Sequence, residues 1–309
     1  MAYWIVFFEC SRWILRSLFK RLPKIVISLV IGSCCSVAFA DTLDNIKNRG
    51  TLLAGVKKDV PLWGLLDTSD GEIKGFEPDL AQLVADHLGV KLKLVGVLTS
   101  ERTDAVVSGK VDMLIATLSD TPERQQAMTL VLPHYYASGV NLLARKSERF
   151  KDWNDLRNRR VCGRRGAFYN RLITVTYGTD VIALYGNDLS FAAVRDGRCA
   201  ALLHDDTSIV AMLQNPVWAR DFEMPLPTLY NVPWSVALAP QERGSAFEKL
   251  VSNLIVGWHR NGVLKKLEQK WGIQPSAYLK EKQELWQRKV NAKWYCGENL
   301  AADTPLECR

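Results

Sequence analysis

Histidine is scarce in this chain of 309 residues: only four, His87, His134, His204 and His259, scattered and in no motif. There is no H-E-x-x-H, no G-x-S-x-G and no P-loop, so the common zinc-protease, serine-hydrolase and nucleotide-phosphate signatures are missing. The cysteines form no C-x-x-C pairs, which a tetrahedral zinc site of four cysteines would need. Internal repeats, low-complexity tracts and long linkers are absent too. So is any lysine/arginine stripe with interleaved aromatics of the kind that tracks nucleic acid. An enzyme, a metal, a cofactor and a nucleic-acid partner are therefore not expected.

What is present starts with a targeting segment over residues 1–40. Arg12, Arg16, Lys20, Arg21 and Lys24 make a basic n-region, residues 25–39 an apolar run, and Ala38-Phe39-Ala40 an A-x-A cleavage site. The run is short for a transmembrane helix. Met1 to Phe19 is itself apolar, which keeps an uncleaved anchor as an alternative. Ile31-Gly32-Ser33-Cys34 is similar to a lipoprotein box, a second point at which processing would leave a lipid anchor at Cys34. Cleavage after Ala40 removes five basic residues and Glu9, so the net charge falls from +7 to about +3. It also leaves four cysteines, Cys162, Cys199, Cys296 and Cys308. In an exported chain an even number reads as disulfides. Three pairings are possible, and the nearest-neighbour one, Cys162–Cys199 with Cys296–Cys308, is the expectation.

The remaining 269 or so residues alternate strand-like and helix-like segments, the pattern of an α/β fold. Gly109–Arg124, GKVDMLIATLSDTPER, is its most informative stretch. A short apolar strand over Val111–Thr117 runs into a polar turn, and Thr121-Pro122-Glu123 is a helix-start signature. Thr117 and Ser119 thus arrive at the carboxyl end of a strand, with Arg124 following. In open α/β sheets that end borders the ligand crevice. Two hydroxyls, free backbone N–H groups and a guanidinium fork suit a small carboxylate there.

This stretch resembles the hallmark of bacterial extracellular solute-binding proteins, family 3, the amino-acid receptors of ABC transporters, and the likeness extends over about Leu43–Tyr278. Pro61-Leu62-Trp63, then Gly71 and Gly75-Phe76-Glu77-Pro78-Asp79-Leu80, and later Gly197–Asp206, follow the family's order. The resemblance implies a two-lobe periplasmic-binding-protein (type II, Venus-flytrap) α/β fold with two crossover strands. Lobe one would take 41–140 and 238–275, lobe two 141–237, and 276–309 would be an extension carrying the Cys296–Cys308 loop. It further implies a monomer that binds an amino acid and hands it to an inner-membrane ABC permease. By the same resemblance Thr117, Ser119 and Arg124 would hold the α-carboxylate. Trp63 would stack over the ligand, and Asp205 would accept its α-ammonium, with Asp206 as the fallback. Asp79 reads as a structural acid.

The departures are informative. Where the family has Gly-(Ser/Thr)-(Thr/Ser), this chain has Gly163-Arg164-Arg165-Gly166-Ala167, so only backbone N–H groups at Gly166 and Ala167 remain to cap a carboxylate. Arg102, Arg164 and Arg165 hint at an anionic ligand side chain. Two competing expectations share the fold. One is a dehydratase acting on cyclic carboxylates, with Asp205, Asp206 or Glu77 as the acid. The other is an accessory protein that has lost its ligand.

Overall fold

Short strands followed by helices build most of the chain. The computed structural model describes residues 42–295. The expected leader and the expected Cys296–Cys308 loop lie outside the described residues. In order come α1 (Thr42–Arg49), β1 (Thr51–Lys57), α2 (Phe76–Leu88), β2 (Lys91–Val97), α3 (Arg102–Val107), β3 (Met113–Ile115) and α4 (Pro122–Ala127). The long strand β4 (Thr129–Arg145) follows, then β5 (Arg160–Arg164), α5 (Tyr169–Tyr177), β6 (Asp180–Leu184), α6 (Gly186–Arg195), β7 (Ala201–Asp205) and α7 (Asp206–Leu213). Then come β8 (Leu229–Leu238), α8 (Ala246–Arg260), α9 (Val263–Trp271) and α10 (Ala277–Trp286).

These strands run in the order β2-β1-β3-β8-β4-β7-β5-β6. β2, β1 and β3 are mutually parallel. So are β7, β5 and β6 at the other end. The antiparallel pair β4–β8 lies between the two sets. β4 has 17 residues, about 55 Å at strand rise. Its first half pairs with β8 from Thr129↔Leu238 onward, and its second half with β7 from Val140↔Asp205 to Ala144↔Ala201. One backbone therefore joins both parallel sets into a single sheet.

Each set has its own core. Leu52, Val56, Phe76, Leu80, Met113, Trp234 and Phe247 belong to the first. Val140, Leu142, Val161, Ile173, Ala201 and Leu203 belong to the second. A disulfide joins Cys162 in β5 to Cys199 before β7, as the spacing predicts. α10 packs back on the first core through Leu279.

Trp63 requires a correction. It is fully buried, its ring 4.6 Å from Tyr136, 4.7 Å from Trp234 and 5.1 Å from Phe76. It has no face left to stack on a ligand. The cause is local: Gly75, at φ 153°, lets the start of α2 close on the Trp63 backbone, and Glu77 N–H donates to the Trp63 carbonyl.

Candidate functional site

Polar side chains gather where the carboxyl ends of β1, β3, β5 and β7 meet across the two lobes. The turn after β3 is built first. Thr117 sits at φ 45°, a left-handed conformation that a β-branched residue adopts only under constraint. Its N–H donates to Glu77 Oε1 at 2.5 Å, and Tyr135 Oη donates to the same oxygen at 2.5 Å. Arg102 fixes the other side, with Nη1 donating to the carbonyls of Thr117 (2.6 Å) and Ala116 (3.0 Å) and Nε to that of Thr99. Thr121 then caps α4, and Arg124 folds back so that Nη1 donates to the Ser119 carbonyl at 2.7 Å.

From the second lobe β5 delivers Arg164 and β7 delivers Asp205. Arg164 Nη2 donates to Asp205 Oδ2 and, at 2.9 Å, to Tyr169 Oη. The lobes touch across the seam: the Gly166 carbonyl accepts from Arg102 (3.3 Å) and from Arg124 (3.2 Å). A Cβ at Gly166 would lie 2.8 Å from Ser100 Cα, so glycine permits this approach. Asn187 at the start of α6 donates its N–H to Asp59 Oδ2 (3.0 Å) and its Nδ2 to the Asp59 carbonyl (2.6 Å). Lys57 in turn pairs with Asp59 at 2.9 Å and donates to Thr99 Oγ1. The lobes are therefore closed on each other, with Arg102, Arg164, Thr117, Ser119 and Asp205 all buried.

Closure carries an electrostatic cost that the side chains record. Burial, with Arg102 and Arg164 nearby, lowers Lys57 to about 8. Burial and the neighbouring Arg124 and Arg164 lower Arg102 to about 9. Arg124 falls to about 10, chiefly by burial. Burial also raises Glu77 to about 8, so this carboxyl is mostly neutral at pH 7. Several buried polar atoms have no partner: Thr117 Oγ1, Arg164 Nε and Glu77 Oε2.

The structure brings together Thr117, Ser119, Arg102, Arg124, Arg164, Gly166 and Asp205. Others of the expected residues fall elsewhere. Arg165 points outward over the Tyr185 ring at 4.8 Å. The Ala167 N–H is committed to the Arg164 carbonyl, and Gly166 presents its carbonyl to Arg102 and Arg124. Asp205 precedes α7 without capping it by its side chain, because that carboxylate is turned to Arg164. Asp206 is a staple of the crossover, accepting from Ser138, Gly139, Thr207 and Thr228. Asp79 holds Lys270 and Trp271 of α9, both at 2.7 Å. Sequence reasoning missed Lys57, Asp59 and Asn187; a lysine ending the apolar run TLLAGV was the available signal.

At the mouth of the seam lies a groove of about 880 Å³, with Arg124 on its inner wall and Phe168, Leu172, Val175 and Tyr230 along it. Among the described residues no group of three His, Cys, Asp or Glu side chains is gathered to hold a metal ion.

A family model described as bacterial extracellular solute-binding proteins, family 3, matches residues 52–274. The L-cystine-binding protein TcyJ of Escherichia coli K12 is 27% identical over 258 residues, 79% of this chain and 91% of that one. An L-glutamate/L-aspartate-binding protein of Pseudomonas aeruginosa is 24% identical, covering 81% of this chain and 86% of its own length. Among solved structures, a cysteine-binding protein from Campylobacter jejuni superposes with a TM-score of 0.69 at 25% identity, over 74% of this chain and 92% of that one.

Proposed function

Because the chain belongs to the bacterial extracellular solute-binding proteins, family 3, we propose that it is an exported receptor that closes its two lobes on an amino acid or a carboxylate of similar size. The ligand is delivered to an inner-membrane ABC permease. The observation that carries this reading is the closed seam itself: Thr117 after β3 and Arg124 in the helix that follows come from one lobe, and Arg164 at the carboxyl end of β5 comes from the other. A guanidinium grips a carboxylate through two parallel N–H donors, and each charge-assisted bond contributes about 1.5–3 kcal/mol. Binding then shifts an open–closed equilibrium, because only the closed form joins the two halves of the site. The groove beside Arg124 offers a route of entry.

The test is a thermal-shift screen of the purified protein against the common amino acids and small mono- and dicarboxylates. A ligand at a hundred times its dissociation constant adds about 2.7 kcal/mol of stability. At least one member of the panel should raise the melting temperature; none doing so would count against the receptor reading.

A further inference from the structure

We infer that the ligand is a small dianion lacking an α-ammonium, and that Asp205 acts as a positioning residue for Arg164 instead of meeting the ligand. This rests on the receptor reading above and names the ligand class of the same site.

Charge bookkeeping comes first. Four cationic side chains line the seam: Lys57, Arg102 and Arg164, all buried, and Arg124 at its edge. Two ionised carboxylates face them, each already paired, Asp59 with Lys57 and Asp205 with Arg164, while the Glu77 carboxyl is mostly neutral. The difference, four minus two, leaves two positive charges. They reside on Arg102 and Arg124, whose hydrogen bonds within the described residues go to backbone carbonyls alone. Carbonyl dipoles solvate a guanidinium without cancelling its charge. Two uncancelled charges in a closed seam call for an entering group of charge about −2.

The second observation concerns hydrogen-bond partners. An α-ammonium needs an acceptor carboxylate. Asp59 is held by Lys57 and by the Asn187 N–H. Asp205 is held by Arg164. Glu77 Oε1 already takes two donors, from Thr117 and Tyr135. What the closed seam leaves unused is the Thr117 hydroxyl, the Arg164 Nε–H and Glu77 Oε2, the last being the oxygen left to carry the proton of a carboxyl that burial keeps mostly neutral. Unmet donors beside surplus positive charge fit an anion and repel an ammonium. The Arg164 guanidinium occupies the position beside Asp205 that an ammonium would otherwise take.

Matched pairs test this by calorimetry: succinate against L-aspartate, and glutarate against L-glutamate, with inorganic phosphate as a third arm. The ammonium is the sole difference within each pair. We expect the dicarboxylate of at least one pair to bind about a hundred-fold tighter than its amino acid. Tighter binding of phosphate than of any dicarboxylate would keep the dianion and move both charges onto one head. A variant, Arg164→Ala, frees Asp205. It should lose the dianion and shift the preference within a pair by about a hundred-fold toward the amino acid. The inference is overturned if an amino acid binds tighter than its des-amino partner in the unmodified protein, or if Arg164→Ala leaves the ratio unchanged. Tight binding of a neutral or cationic amino acid alone would overturn it while leaving the receptor reading intact. Failure of every compound to bind would remove that reading as well.

Discussion

Glu77 shows how a single side chain combines structure and titration. It begins α2, is fully buried, and uses one oxygen to hold the Thr117 N–H and the Tyr135 hydroxyl. Burial raises its carboxyl from 4.5 to about 8. Between those values the unfolded chain has released its proton while the folded chain keeps it. The folded state thus binds more protons, and this group's contribution falls as pH rises through that window. Glu77→Gln preserves both acceptor contacts and cannot ionise. Denaturant unfolding of the two proteins at pH 5 and pH 8 should show the variant gaining, on the order of a few kcal/mol, at the higher pH. A difference independent of pH would mean that Glu77 ionises normally in the fold. The residue scale is also where sequence reasoning was least complete. An aromatic after a proline reads the same whether it lids a ligand or fills a core, and Trp63 fills the core. Asp205 and Arg164 were each visible as charged residues, but their pairing across 41 positions is a product of the β5–β7 register.

Elements were more legible than contacts, because caps and turn residues act locally. Thr121, Ser245 and Ser276 each precede a helix and accept from its third N–H. Thr121 matters further because α4 aims Arg124. Thr121→Ala should cost about 1 kcal/mol in denaturant unfolding and also weaken ligand binding; a loss of stability with affinity untouched would separate the cap from the site. Two elements escaped notice for physical reasons. β6 is an edge strand, DVIAL, with no fully buried residue, so it lacks an apolar run. α1 buries Ile46 alone. Pro133 and His134 interrupt the apolar pattern between Leu132 and Ser138, yet Thr129–Arg145 is one strand. The disulfide Cys162–Cys199 ties β5 to β7 beneath the Arg164–Asp205 pair. In the chain-entropy model a loop of 37 residues contributes about 4 kcal/mol. Replacing both cysteines by serine should lower the melting temperature clearly. Free thiols at these positions in unreduced, exported protein would contradict the pairing.

At the scale of the whole molecule, the alternation of strands and helices and the family's motif order were enough to anticipate two lobes on a shared strand pair. Closure was not legible, since it depends on contacts between distant segments. The Asp59–Asn187 bonds join β1's loop to α6 and exist only while the lobes touch. Asn187→Ala should therefore lower ligand affinity by reducing the closed population, with the largest change in the rate of release. An unchanged release rate would show that this contact does not hold the lobes together. Arg124 spans the same seam, bonded to Ser119 within its lobe and to Gly166 across it. In the empty protein its charge is a burden, since it stands beside Arg102 and lowers that residue's proton affinity. With ligand bound, removing Arg124 leaves a buried anion unmatched, which costs about 3–5 kcal/mol, or two to four decades in affinity. The most direct measurement is calorimetric titration of the unmodified protein, Arg124→Ala and Arg124→Lys with the tightest ligand of the screen. The account predicts that binding falls by two to four decades in Arg124→Ala, as that cost requires, with little recovery in Arg124→Lys and with the empty Arg124→Ala protein melting no lower than the unmodified one. Near-normal affinity in Arg124→Ala would contradict it.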